Sequence, residues 1–247
     1  MNSLSGMLSK TKGIVLHHIK FSESSVIATI YTRDYGRRSF MINRVRGRGT
    51  AEKVNILQPL FIVEMDIYYQ PNRDIQRVKE MKNLVAFNSI PYQVIKSTLA
   101  LFIAEVLYKS IREEESNKEL FEFLFHTIQL LDMTETGTFN FHIMFLLQLT
   151  KYLGFYPEIS HSKENPIFDL RNGTFIPAVP FHPDYMRPDM SNDLINALQL
   201  NSNNLNEWKI SSGKRYHLLE KIIEYYQIHV SGFGKVNSLQ ILKEVFH

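Results

Sequence analysis

Along the first 80 residues the apolar positions recur every second residue. Ser25 to Thr32 puts Val26, Ala28 and Ile30 on one face and Ile27, Thr29 and Tyr31 on the other. Leu60 to Tyr68 puts Phe61, Val63, Met65 and Ile67 together. Extended backbone sends successive side chains to opposite faces, so this period predicts strands. Gly13-Ile14-Val15-Leu16 opens another, Arg38 to Ile42 is entered through the turn Asp34-Tyr35-Gly36, and Asp74 to Val78 follows the turn Gln70-Pro71-Asn72-Arg73. Gly36 supplies the positive φ of a tight hairpin. Five short strands predict a small closed barrel of the OB type, and an SH3-like barrel fits the period almost as well.

The period changes after residue 80. Pro91, with Ser89 as a candidate cap, marks a helix carrying Ile95, Leu99, Phe102, Ile103, Val106 and Leu107. A second helix starts near Asn117 with Phe121, Leu124, Phe125, Ile128 and Leu131, and a third runs from about Phe139 to Leu153, where Gly154 and Pro157 stop it. All three are apolar on two faces, which predicts a bundle core. Prolines 157, 166, 177, 180 and 183 break residues 155–190, where Ile167 to Ile176 reads as a hairpin turning at Asn172-Gly173. Helices resume near Ser191, from Ser212 to His229, and from Asn237 onward, with Gly232-Phe233-Gly234 between the last two. The expected fold is α+β and multidomain: a five-stranded OB-type barrel over residues 1–80, then a mainly helical domain over 81–247 with a Pro-rich hairpin insertion at 155–190.

Composition narrows the function. Of the 247 residues 44% are hydrophobic, enough for a packed core in one large or two ordinary domains. No run of 18 apolar residues indicates a membrane span, and the first 13 residues are too polar for a signal peptide, so the expected location is cytoplasmic. The absence of Cys excludes disulfides, thiolate zinc sites, Fe–S clusters and Cys nucleophiles. Net charge is only +3, but residues 1–80 hold 13 Lys+Arg against 7 Asp+Glu, and the remainder 15 against 18. A basic segment joined to a neutral one points to a polyanion-binding domain.

The candidate DNA-binding residues are Lys10, Lys12, Arg33, Arg37, Arg38, Arg44, Arg46, Arg48 and Lys53. Guanidinium forks match phosphate oxygens, and Gly47 and Gly49 let backbone approach a ligand. Tyr31, Tyr35 and Phe40 would stack bases if they faced outward. A solvated charged loop with the aromatics in the core fits the same residues, and inward packing is expected for Phe40. In the helical part, Lys214, Arg215 and Lys221 beside Trp208 suit an acidic peptide with an apolar end, although a helix with snorkelling lysines would look the same. No P-loop, GxSxG, HExxH or GxGxxG motif occurs, so no enzymatic activity is expected. The adjacent His17 and His18 would face opposite ways on a strand, and His161 and His182 match no zinc spacing; no metal and no cofactor are expected.

Several fragments carry a resemblance. Lys12-Gly13-Ile14-Val15-Leu16 and Phe21-Ser22-Glu23-Ser24-Ser25 resemble the opening of the RecO family, and Tyr31 to Arg37 resembles its Phe-Thr-x-x-x-Gly-Arg turn. Arg46 falls at that family's Arg-rich loop, and Gln58-Pro59-Leu60 resembles its entry to the next strand. Tyr152 to Pro157 is similar to its Leu-Gly-x-x-Pro helix end, and Tyr226 to Ile241, with His229, Gly232 and Ser238, to its C-terminal stretch. The resemblance implies an OB domain followed by a helical one, binding of single- and double-stranded DNA, strand annealing, and a nucleoid-associated mediator role in recombinational repair. It also implies two partners, RecR and the acidic C-terminal tail of single-strand-binding protein. Many members carry a four-Cys zinc motif after the Leu-Gly-x-x-Pro turn. This chain has none, so Phe168, Leu170, Phe175 and Ile176 must hold that segment by apolar packing. A protein–protein adaptor whose basic loop is incidental is the alternative.

Overall fold

The computed structural model describes residues 6–43, 55–160 and 166–246. The chain divides into two compact units, one of residues 1–93 with 100–132, the other of residues 94–99 with 133–247. In the first, β1 (Met7–Lys20), β2 (Ser25–Thr32), β3 (Gly36–Asn43), β4 (Ile62–Tyr69) and β5 (Ile75–Asn83) close a barrel in the order β1-β2-β3-β5-β4. Only β3 and β5 pair in parallel. That order is the OB arrangement, which decides between the two barrels the periodicity allowed.

One strand closes the ring by serving two neighbours. The first half of β1 pairs with β4, the second half with β2, and the register shifts between Val15 and His17. The apolar run Gly13–Leu16 is therefore only the middle of a 14-residue strand with polar, exposed ends. β5 also outruns its apolar pattern. Its residues after Val78 are largely exposed, and the ladder to β4, not burial, keeps them extended. Val15, Ala28, Ile30, Phe40, Ile42, Val63, Met65 and Ile67 fill the interior. A Cβ on Gly13 would stand 2.5 Å from the Ile30 side chain, so this strand crossing requires glycine.

Helix α1 (Val94–Ser110) and α2 (Lys118–Met133) follow. The three helices expected to form one bundle are divided between the two units. Residues 100–132 pack with the barrel, while α3 (Thr138–Leu153) packs with later helices. An apolar pattern on two faces records that a helix is covered twice, not by what. Ser89 does not cap α1, which starts at Val94. Its hydroxyl and amide bind Asp132 near the end of α2, and the Asp132 carboxylate also accepts from the amides of Asn88, at 2.9 Å, and Ile90, at 2.8 Å. Partial burial opposes the charge on Asp132, but the three amides and the Ser89 hydroxyl outweigh it and hold the carboxyl below its ordinary value.

In the second unit α3 is buried along most of its length and ends at Gly154 in the left-handed conformation, φ +82°. It packs against α4 (Pro188–Leu198) and α5 (Ser212–His229); α6 (Ser238–Phe246) ends the described chain. Burial pushes the imidazole of His142 on α3 down to about 3, so it stays neutral. The expected hairpin is present as β6 (Ile167–Asp169) and β7 (Thr174–Ile176), and β8 (Tyr185–Met186) adds a third strand that two residues of sequence do not announce. Phe168, Leu170 and Phe175 are buried. Phe168 lies 5.0 Å from Phe175 and 5.7 Å from Tyr225, and Phe155 stacks on His229 at 5.1 Å. Asp169 closes the turn by accepting from the amide of Arg171, at 2.8 Å, and the side chain of Asn172, at 2.7 Å. Among the described residues no group of three or more His, Asp or Glu is placed to hold a metal ion.

Two outcomes follow for stability. Chelator should leave thermal unfolding unchanged, whereas Phe168→Ala should cost about 3–5 kcal/mol by chemical denaturation. Asp132→Ala should cost about 1.5–3 kcal/mol at neutral pH. The Asp132 carboxyl is depressed in the folded state, so its contribution is present above the unfolded value near 4 and lost as pH falls through the folded one. The difference between wild type and Asp132→Ala, followed by circular dichroism, should shrink toward pH 3.

Candidate nucleic-acid interface

The turn between β2 and β3 carries Arg33, and the start of β3 carries Arg37 and Arg38. Gly36 takes φ +62°, and a Cβ there would stand 2.4 Å from the Glu115 carbonyl oxygen. Only glycine lets the turn seat against residues 113–115. Arg37 then reaches the end of α1, where its Nη1 donates to the carbonyls of Tyr108, at 2.8 Å, and Ile111, at 2.7 Å. Its guanidinium lies 4.5 Å from the Tyr108 ring centroid. The last carbonyls of a helix lack partners within it and carry the negative end of its dipole, so a cation belongs there. Burial lowers the pKa of Arg37, yet it stays charged.

The neighbouring arginines are also engaged. Arg33 pairs with Glu122 at 3.1 Å, and Arg38 with the carboxylate of Glu114 while donating to the Tyr35 carbonyl. On β1, Lys10 and Lys12 are exposed. Lys10 and Lys82 of β5 each lie 3.0 Å from Glu64 of β4, and these hydrogen bonds hold the Glu64 carboxyl below its ordinary value. Lys12 lies over the Phe125 ring at 5.8 Å. Arg44, Arg46, Arg48 and Lys53 lie outside the described residues.

The proposed stacking aromatics are mostly unavailable. Phe40 is in the core. Tyr31 is buried beside Phe121, its hydroxyl donates to the Asn117 carbonyl, and burial pushes its pKa up to about 12. Tyr35 stacks on Tyr69 at 4.1 Å. A second strand face, partly exposed among the described residues, was not anticipated: Ile19, Ile75 and Arg77 are exposed, Ile27, Ser39 and Met41 half-buried, and Thr29 buried, while His17 packs on the Tyr108 ring at 4.8 Å. Cross-strand register lines up Ile19, Ile27, Met41 and Arg77 in one row and His17, Thr29, Ser39 and Ile75 in the next. Ile19 is 52% exposed, and Phe21, which continues its alternation at the β1–β2 turn, 60%. Their signal in the sequence was β2 itself: its second face, Ile27-Thr29-Tyr31, is apolar although the first already fills the barrel. Tyr31 lies against Phe121 of α2; Ile27 is half-buried.

The second group of candidates separates. Trp208 and Arg215 line one cleft of the helical unit, whereas Lys214 lies 4.0 Å from Asp193 and Lys221 pairs with Glu224 at 2.6 Å. No helix among the described residues is long and apolar enough to cross a membrane.

Comparison with known proteins bears on all of this. The family model for the N-terminal part of recombination protein O matches residues 7–87, and the model for its C-terminal part matches residues 92–239. The chain belongs to the RecO family of DNA repair proteins. The DNA repair protein RecO of Bacteroides fragilis is 39% identical over 241 residues, covering 97% of this chain and 100% of that relative. That of Flavobacterium psychrophilum is 39% identical over 239 residues, covering 96% and 98%. The Porphyromonas gingivalis protein is 28% identical over 244 residues, covering 97% and 100%. The RecO resemblance seen in scattered fragments thus holds along the chain.

Arg37 directs Nη1 at two helix carbonyls, so its removal should act on folding. Arg37→Ala should destabilise by about 1.5–3 kcal/mol in denaturant unfolding and leave the salt dependence of DNA binding unchanged. A reduced salt slope with unchanged stability would make Arg37 a phosphate contact instead.

Proposed function

We propose that this chain is a DNA-binding recombination mediator in recombinational repair. It holds single strands on the barrel, anneals them, and helps load recombinase onto DNA coated by single-strand-binding protein. RecR and the acidic tail of single-strand-binding protein are the protein partners that go with this role, and it works by binding, not turnover. The observation that carries the reading is the outer face of β1, β2, β3 and β5, where Ile19 and Phe21 are exposed at the end of β1 and Ile75 and Arg77 are exposed on β5, with half-buried Ile27 and Met41 between. OB barrels take oligonucleotides on this face, where exposed flat or apolar side chains meet unstacked bases and nearby cations meet phosphates. Lys10 and Lys12 on β1 add charge, and Arg44, Arg46 and Arg48 follow β3 directly in the sequence.

One observation favours the adaptor reading: Arg33, Arg37 and Arg38 are engaged within the fold and do not form a free basic patch.

Fluorescence anisotropy of labelled oligothymidylate across a salt series separates the two. The mediator predicts affinity that falls with salt, with log K changing by about 0.7 per phosphate neutralised for each decade of salt. Arg77→Gln, Lys10→Gln/Lys12→Gln and Arg44→Gln/Arg46→Gln/Arg48→Gln should each flatten that slope. Phe21→Ala should weaken binding by about 5- to 100-fold without changing the slope, because stacking releases no counterions. An absence of binding even at low salt leaves the adaptor.

A further inference from the structure

The helical unit contains a cleft of about 380 Å³ where the start of α3 meets residues 206–211 and the first turn of α5. Asn140, almost fully buried, builds it. Its amide donates to the carbonyls of Leu205, at 2.8 Å, and Trp208, at 3.0 Å, and its Oδ1 accepts from Nε of Arg215 at 3.0 Å. A second guanidinium nitrogen of Arg215 donates to the Ile210 carbonyl at 3.1 Å. The loop is therefore tied to α3 and α5, and Trp208 is held half-exposed in the lining.

The charges in this cleft are unbalanced. Its lining includes two cations, Lys209 and Arg215, and no carboxylate. Arg215 is half-buried, burial lowers its pKa, and its acceptors here are neutral oxygens. Taking a cation partly out of water without an anion is costly, and an anionic ligand removes that cost. The apolar groups argue for the kind of anion. Phe139 is 42% exposed, between Arg215 at 5.8 Å and Phe246 at 5.0 Å, so it adds a second open ring to the lining instead of an enclosed socket for a peptide side chain. The Trp208 ring is a flat partly open surface, which suits a base lying against it.

We infer that the Trp208 cleft holds a segment of single-stranded nucleic acid, with a base on the indole and a phosphate on Arg215 and Lys209. Guanidinium matches phosphate with two parallel donors, and indole–base stacking tolerates any sequence. The site is distinct from the barrel face. A protein that pairs two strands needs places for both, so this inference extends the mediator reading, but its test is separate.

Trp208 is the only tryptophan in the chain, so intrinsic emission reports this cleft directly. Unlabelled oligothymidylate is titrated while emission is followed, with anisotropy of labelled oligothymidylate measured in parallel. Quenching is expected in wild type and, with an unchanged midpoint, in Phe21→Ala/Lys10→Gln/Lys12→Gln. Arg215→Gln should raise the midpoint about tenfold or more, the loss expected for a charged hydrogen bond. Because Arg215 also braces the loop, Lys209→Gln serves as the second variant: it should raise the midpoint several-fold with thermal unfolding unchanged. Anisotropy that shows binding while Trp208 emission stays constant overturns the inference and leaves the barrel reading intact. So does quenching whose midpoint neither variant moves. Quenching by an acidic peptide with an apolar C-terminus, but not by oligothymidylate, assigns the cleft to a peptide and overturns it as well. Quenching that persists when the barrel variants leave anisotropy unchanged supports this cleft and counts against the barrel face.

Discussion

Arg37 sits on the open carbonyls at the end of α1, and much of the barrel unit is arranged around that contact. A charged group taken partly out of water needs compensating contacts, and here two helix carbonyls accept from Nη1 and an aromatic ring lies beside the guanidinium. Gly36 makes the approach possible by having no side chain where the 113–115 backbone passes. Tyr31 is buried by the same docking, its hydroxyl satisfied by the carbonyl of Asn117, whose own side chain caps α2. Replacing Gly36 would therefore disturb a turn, a helix end and a helix start together.

This docking divides the basic residues by role. Arg33, Arg37 and Arg38 are engaged by α1, α2 and the segment between them, Lys10 pairs with Glu64 and Lys12 lies over Phe125 of α2, while Arg77 is exposed. It also divides the outer surface of the sheet. The strip bearing Tyr31 is covered, whereas in the other Ile19 and Ile75 are exposed and Ile27 and Met41 half-buried.

The helical unit solves a different problem. Its three-stranded insertion has no cysteine to anchor metal, and a sheet of two- and three-residue strands is too small to stand alone. Phe168 and Phe175 are instead packed among Tyr225, Phe155 and His229, and Asp169 ties the hairpin turn. Aromatic burial of this kind replaces a coordination bond with several weaker contacts that act together.

The barrel, its turn at Gly36, the hairpin at Gly173 and the helix stops at Gly154 and His229 were all legible in the sequence. Each depends on a local rule: side-chain alternation, helical period, or a backbone conformation that favours glycine. Family membership was legible for a similar reason, as short patterns kept their order along the chain. The sequence could not say which helix would cover which face, because an apolar stripe looks the same against any apolar partner. It therefore predicted a three-helix bundle where residues 100–132 pack with the barrel. The roles of individual charges were hidden in the same way. Arg37 and Arg77 differ little in sequence context, yet one meets the carbonyls of a helix 71 residues away in the chain and the other meets water. Only the tertiary structure decides such cases, because desolvation and hydrogen-bond partners come from segments distant in sequence.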